Sequence, residues 1–397
     1  MRLLISLILP VWLLAVPLDT LIQNARNNHT SLKSIEQKIS MIDNEIEISQ
    51  NFSDPIVSLT LSDIQSDDIS DRSIERMQYT ALNFAQKIPY FGKRDALSNK
   101  IKAKKEKVTL SMYEMKVKLV REIKIAAFSI WQREEELKIT DEYIKLTKQN
   151  IELYSSASTS DSKSHMSIMS AEMKLSELRI KKHKLNSILL GLYKKLSYLS
   201  EMDVKSVEMD MKIFKPNDVS EYIQIKSANL SYKIKKASLN EANKDIKVKE
   251  LSSYIDPVIK VGYYHRESFD DYANIGLSFS LPIYGTQDQQ EEKSRKLSLA
   301  WKNEIIDFNN LLIAQIYEVH ARLTNSYEAH RIIKHESMPQ IQHMFELSSS
   351  SIKSGDELFL FIELLGKKLS LDEQNIGEVA TYHRNLAILD ALIGEMK

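Results

Sequence analysis

The chain has 397 residues, with 54 Lys and Arg against 54 Asp and Glu, so its formal net charge is zero and no global basic field points to nucleic acid. It contains no cysteine, which excludes disulfides and thiolate metal sites. Nine glycines and eight prolines are few for this length and point to long helices joined by few loops.

The N-terminal run MRLLISLILPVWLLAVP sets Arg2 before an apolar stretch at residues 3–16. That is the length of a signal-peptide core and too short for a spanning helix, so residues 1–17 are expected to be a secretory signal. Leu13 and Ala15 do not make a small-x-small cleavage pair, and with no cysteine a lipid-anchored N-terminus is not expected. A leading helix is predicted over about 18–50. Next, DPIVSLTLSDI (54–64) alternates, with Val57, Leu59 and Leu61 on one face and Ser58, Thr60 and Ser62 on the other. Period two predicts a strand. MQYTALNFAQKI (77–88) is its hairpin partner, across a polar loop at 65–76. A corner follows: Ile88, Pro89, Tyr90, Phe91, Gly92.

Residues 93–190 contain neither Gly nor Pro. Apolar positions recur at three and four, and Ile130, Leu137, Ile144 and Ile151 fall seven apart, which is coiled-coil or long-bundle spacing. The pattern breaks only at SSASTSDSKS (155–164). The spacing predicts a helix over about 95–155, a turn, and a returning helix over about 164–199. Sixty helical residues span roughly 90 Å, more than an ordinary domain diameter.

The second half repeats the first. A helix is predicted over 217–250, opened by Pro216, Asn217 and Asp218. Strands are predicted over about 256–265 and 272–282. In the latter, Ala273, Ile275, Leu277, Phe279 and Leu281 oppose Asn274, Gly276, Ser278 and Ser280. The corner returns as Leu281, Pro282, Ile283, Tyr284, Gly285, 193 positions after the first (282 − 89). A helical hairpin over about 286–395 follows, with Pro339 and a turn near Gly355. Shifted by 194, IELYSSAS (151–158) falls on FELSSSSI (345–352), and Leu175, Leu185, Leu192 and Leu199 fall on Leu369, Val379, Leu386 and Ile393. The chain therefore reads as an internal duplication, with repeats at 18–205 and 206–397.

Two hairpins supply four strands of about ten residues, the length that crosses a membrane when tilted. A sheet in lipid must close, and four strands cannot enclose a lumen. The chain therefore either buries its strands in protein or shares a barrel with copies of itself, polar face to water and apolar face to lipid. The corners fit this demand: Pro89 and Pro282 end the strand ladder for want of an N–H, and Gly92 and Gly285 allow the abrupt turn into a helix.

With these features in order, the chain resembles the TolC-like outer-membrane efflux proteins. The resemblance rests on the signal peptide, the duplication, the paired hairpins, QKIPYFGKR and GLSFSLPIYG before long helices, and the stretch MPQIQHMFELSSSSIKSGDELFLFIELLGKKL (338–369). It covers essentially the whole mature chain. It implies a mainly α fold with a small membrane β part, in which a homotrimer forms a twelve-stranded β-barrel in the outer-membrane lipid and an α-helical barrel in the periplasm. It also implies a periplasmic adaptor and an inner-membrane pump, an RND-type pump being one option, with no catalysis and no cofactor in the channel. The compact length resembles the heavy-metal efflux branch. The chain departs from the family where Ile352 stands in place of the tip tyrosine, where Asp161 aligns with Gly355, and where no adaptor-facing tip signature is evident.

The family's tunnel narrows at its periplasmic end, often with acidic side chains. Asp356, Glu357 and Glu363, past the second turn, are the gate candidates, with Asp161 at the first; threefold symmetry would repeat each as a ring. The bland reading is that Asp356 and Glu357 cap the returning helix. Ser160 and Gly355 mark the periplasmic tips. His165, Met166, Met169 and Met173 form a stripe whose thioethers suit Cu(I), but Met filling a helix seam is the reading preferred here. His320, His330, His335 and His343 are scattered without His-x-x-x-His spacing, so no metal site is expected. No phosphate loop, nucleophile elbow or zinc helix motif occurs. The basic run KIKAKKEK (100–107) reads as a solvated helix face rather than a nucleic-acid site. Three alternatives to the efflux channel are the outer-membrane part of a type I protein secretion system, a non-conducting coiled-coil surface protein, and a periplasmic adaptor. An adaptor would carry one hairpin flanked by β domains, not two in tandem.

Overall fold

The structure, a computed structural model, describes residues 15–66, 71–157, 162–350 and 355–394, apart from the side chains of 156–164 and 349–358. It is mostly helical. In chain order the elements are β1 (Val16–Pro17), α1 (Leu18–Asn28), α2 (Thr30–Gln50), β2 (Ile56–Ser62), β3 (Tyr79–Lys87), α3 (Lys93–Ala157), α4 (Ser162–Ser200) and β4 (Val207–Glu208). Then come α5 (Val219–Gln224), α6 (Leu230–Ser252), β5 (Val258–His265), β6 (Tyr272–Ser278), α7 (Thr286–Ile332), α8 (Met338–Ser350) and α9 (Gly355–Leu392). Among the described residues no helix is long and apolar enough to cross a membrane.

The chain divides into two units. One contains residues 34–112 and 230–309. Its sheet is antiparallel in the order β2-β3-β5-β6. The strands are shorter than the periodicity predicts, at 7, 9, 8 and 7 residues. Pro55 and Pro257 stand immediately before β2 and β5, where a missing N–H ends the ladder. The register sets Val57 opposite Phe84, Phe84 opposite Val261, and Val261 opposite Ile275. Opposed residues share a face, so one face carries these together with Leu59, Leu82 and Leu277. The other carries Ser58, Asn83, Lys260 and Asn274.

The helices of this unit continue the order of the strands. α3 is tied to α2 by Lys104–Glu45 at 2.6 Å and Lys105–Asp43 at 2.5 Å. It is tied to α6 by Lys100–Asp245 at 2.8 Å and by the Lys107–Glu241 pair. α6 is tied to α7 where Ser294 donates to Asp245 at 2.7 Å and Lys235 meets Glu304 at 2.9 Å. The run 100–107, expected as a solvated face, thus sets four of its five lysines, 100, 104, 105 and 107, against neighbouring helices. Against those helices α3 buries small side chains, Ala96, Ser98 and Ala103, while Leu97 faces out.

The other unit holds residues up to 33, 113–229 and from 310 onward. Its core cluster includes Tyr143, Ala171, Leu178, Phe361, Leu365 and Leu369, drawn from α3, α4 and α9. The seven-residue spacing of α3 is corrected here. Leu137, Ile144 and Ile151 are only half-buried, whereas Thr140, Tyr143 and Thr147 are buried. A straight helix repeats at 3.6 rather than 3.5, so a heptad read from apolar residues drifts off the seam. The hydroxyls enter without unsatisfied cost where they have partners: Thr140 Oγ1 donates to the Glu136 carbonyl at 2.6 Å.

Two helices also differ from expectation, and a third carries a proline. The helix predicted over 18–50 breaks at His29, because the Glu201 carboxylate accepts from both Thr30 N and Thr30 Oγ1, at 3.1 and 2.9 Å, and starts a new helix there. The helix predicted over 217–250 breaks over 225–229, where the Asn229 side-chain amide donates to the Leu392 carbonyl at 2.8 Å. Pro339 does not end its helix. It follows a π-helical turn at Ile333–Ser337, where a wider ladder absorbs the missing N–H.

Candidate functional site

The corners are the points where sheet becomes helix. At the first, Ile88 N donates to the Pro257 carbonyl at 2.8 Å and so extends the β3–β5 ladder past Lys87. Gly92 then turns the chain with φ +84°, a left-handed value at which a side chain is strained. Ala96 N donates to the Gly92 carbonyl at 2.9 Å, closing the first turn of α3. Asp256 clamps the whole. Its carboxylate accepts from Tyr90 N at 2.8 Å and Lys93 Nζ at 2.7 Å, with Lys87 Nζ at 3.3 Å. Burial opposes the charge on Asp256, but the bonds from Lys93 and Tyr90 outweigh it and hold the carboxyl below its usual range. Tyr90 stacks on Tyr254 at 4.4 Å, and Lys93 also donates to the Tyr254 carbonyl at 2.7 Å.

The second corner repeats the backbone but not the clamp. Gly285 has φ +69°, and Gln289 N donates to its carbonyl at 3.1 Å. Pro282 precedes it, and Ile283 N turns back on the Leu281 carbonyl at 3.0 Å.

The apolar face of the sheet is open: Ile275 is 84% exposed and Leu59 70%. Aromatic rings bound it at both ends. Phe91 and Tyr284 stand out at the corners, 91% and 90% exposed. At the loop end Tyr263, on this face, is 52% exposed and its hydroxyl donates to Asp271, while Tyr79, Tyr264 and Tyr272 pack together on the opposite, polar face. An apolar band between aromatic girdles is the surface of a strand set in lipid. Periodicity alone did not single out these rings; the aromatic position of the corner motif was the available signal.

Of the gate candidates only Glu363 has a described side chain. Asp161 and Ser160 lie outside the described residues. Gly355, Asp356 and Glu357 form the start of α9, and the side chains of the last two lie outside the described ones. Glu363 is two turns further on and pairs with Lys367 at 2.9 Å, so its charge is balanced within the helix. Sequence reasoning missed the ties between the long helices. Tyr143 of α3 donates to Asp372 Oδ2 of α9 at 2.9 Å, and Lys368 Nζ stands 3.5 Å from the same carboxylate. Burial, and then the Asp372 charge, push the Tyr143 phenol well above its usual range. Lys181 of α4 pairs with Glu373. The methionine stripe is also corrected. Met166, Met169 and Met173 are 72%, 63% and 68% exposed, so they fill no seam within this chain. Spacing placed them on one helix side but could not say which side that was.

No protein-family model matches the sequence, and no curated protein matches it. Solved structures do. The open state of the Neisseria gonorrhoeae MtrE outer membrane channel aligns with TM-score 0.78 at 13% identity, over 95% of this chain and 89% of that one. The Vibrio cholerae outer membrane protein VceC aligns with TM-score 0.72 at 12% identity, over 96% and 97%. CusC, described in the course of its folding and transmembrane channel formation, aligns with TM-score 0.72 at 12% identity, over 96% and 93%. At such identities the likeness is one of fold, and it spans nearly the full length of each chain. The fold of this chain is that of the TolC-like outer-membrane efflux channels.

Proposed function

We propose that this protein is an outer-membrane channel, the passive exit duct of a tripartite efflux system. The observation that carries this reading is the sheet: four strands with one exposed apolar face, aromatic rings at both ends, and unpaired outer edges on β2 and β6. Open edges in lipid cost several kcal/mol per unpaired group, so the sheet must close on further strands. Three copies would supply twelve strands, and the helices that follow each corner would wall a periplasmic tunnel. A periplasmic adaptor would dock on the helices, and an inner-membrane pump would supply the energy. Residues 18–205 and 206–397 are the two repeats of this design. Because Val16 and Pro17 pair with Val207 and Glu208, the signal segment is best ended before residue 16. A non-conducting stalk would have no use for the apolar sheet face.

Glu363 is balanced by Lys367, so in this reading an acidic constriction rests on Asp356 and Glu357 past the second turn, with Asp161 the candidate from the first. Such rings would favour cations, and metal ions are one cargo class they admit. Single-channel recording of the purified protein in a planar bilayer tests the proposal. Stable pores whose cation preference falls when Asp356 and Glu357 become Ala are expected, with Glu363→Ala having the smaller effect. Pores unchanged by all three would discard the gate residues and keep the channel. A protein that stays soluble and monomeric without detergent would overturn the reading.

A further inference from the structure

The two hairpins map onto each other by residue number. The first strands are related by a shift of 202 (256 − 54), which carries Asp54 and Pro55 onto Asp256 and Pro257. The second strands are related by a shift of 193 (282 − 89), which carries Pro89 onto Pro282. Applied to the pair Ile56 and Ala85 of β2–β3, the two shifts give Val258 and Ser278, which are paired in β5–β6. The mapping therefore reproduces an observed register.

One junction has no counterpart within the chain. β3 pairs with β5, but the equivalent edges, on β6 and β2, lie at opposite ends of the sheet. Carrying the β3–β5 register across gives Ser278 opposite Ser58, from Ala85 opposite Lys260. It also gives Leu277 opposite Leu59, from Phe84 opposite Val261, which keeps apolar residues on the apolar face. The corner carries the same message. The bonds of Ile88 N to Pro257 and of Tyr90 N to Asp256 have as equivalents Leu281 N to Pro55 and Ile283 N to Asp54. Asp54 is exposed and makes no hydrogen bond or ion pair among the described residues, and Ile283 N has only its own strand end to bond.

We propose that β6 of one copy pairs with β2 of the next in this register, and that Asp54 of the second copy completes the second corner by accepting from the Ile283 N–H. The proposal rests on the trimeric reading above and adds to it the register and the clamp. At the positions of Lys87 and Lys93 the second corner carries Ser280 and Thr286. The clamp between copies thus meets hydroxyls instead of ammonium groups, and is weaker than the one within the chain.

The absence of cysteine makes a cross-linking test clean. Within one copy β2 and β6 are three strand spacings apart, roughly 14 Å, too far for a disulfide. Oxidation of the full-length Ser58→Cys/Ser278→Cys protein in detergent is expected to give a covalent trimer, with Ser58→Cys/Asn274→Cys giving little. Asp54→Ala is expected to leave the helical content intact, lower the dissociation temperature of the trimer and speed Ile283 amide exchange by about tenfold, the effect of one hydrogen bond of ordinary net strength. Asp54→Asn, whose amide oxygen still accepts, should restore part of that protection. A trimer that cross-links through position 274 rather than 278, or at neither, would overturn the register and leave the trimeric reading standing. Unchanged Ile283 exchange and dissociation in Asp54→Ala would overturn the clamp. A protein that light scattering finds monomeric would overturn the trimeric reading and this proposal with it.

Discussion

The two strand-to-helix corners share a five-residue pattern, a left-handed glycine and the same first helical hydrogen bond, yet they are held by different means. The first is closed inside the chain: Asp256 reaches from the start of β5 to the Tyr90 N–H, Lys93 and Lys87. The second has the turn without the carboxylate. A duplicated structure on an open sheet must have one such unmatched junction, because its last strand has no following hairpin in the same chain. In the proposed trimer the difference between the corners marks where one chain's sheet would be continued by the next.

The largest test of this comparison removes what the corners share. Gly92→Val and Gly285→Val should each cost about 2 kcal/mol, since a β-branched residue is forced to positive φ. The cost should be similar at the two corners, since Leu251 Cδ1 would stand at an ordinary contact distance of 3.9 Å from a Cβ at Gly92 and nothing lies near Gly285. Denaturant midpoints in detergent measure it; an equal loss at Ala in place of Val would assign the cost to the Cβ alone and refute the part given to the β-branch. Next, Asp256→Ala should cost about 2 kcal/mol, because it strands the Lys93 ammonium and the Tyr90 N–H together. Amide exchange at Tyr90 should quicken while that at Ile283 stays as it was.

Acid should loosen the first corner. The Asp256 carboxyl is held low in the folded chain, so its contribution is present above the ordinary carboxylate value of about 3.9 and is lost as pH falls through the folded value. The stability gap between wild type and Asp256→Asn should narrow below about pH 4; a gap constant down to pH 2 would show that the charge is not what clamps. Smaller again is Arg94→Ala. The guanidinium sits 3.9 Å over the Phe52 ring and donates to the Gln50 carbonyl at 2.7 Å, so its loss should cost about 1 kcal/mol. Its counterpart Gln287 should be silent. Smallest is Lys87→Ala. Its side chain is 52% exposed, and an outer ion pair of this kind is worth less than about 0.5 kcal/mol.

Much of this architecture could be read from residue order. Period-two alternation at 273–281 and 57–62 located the strands and their apolar face, because a pleat admits no other assignment of side chains. The glycine- and proline-free run at 93–190 located the long helices, since only its Ser-rich break at 155–164 offers residues that turn the chain. The reading failed where partners lie far along the chain. The breaks at His29 and over 225–229 depend on Glu201 and Leu392. The seam of α3 runs through Thr140, Tyr143 and Thr147, which a count of apolar residues passes over. The acidic candidates at 356, 357 and 363 were chosen by position, and the one whose side chain is described is already paired.

The sequence by itself determined the local alphabet of this protein: strand, corner, long helix, and the doubling of that series, all set by periodicity and by the backbone limits of proline and glycine. Only the tertiary structure decided what each charge does. Asp54 and Asp256 open the same dipeptide, Asp-Pro, and no local rule separates them. One lies against the neighbouring strand's corner and is clamped there; the other lies on an outer edge. That distinction is set by strand order, and strand order is a property of the folded sheet.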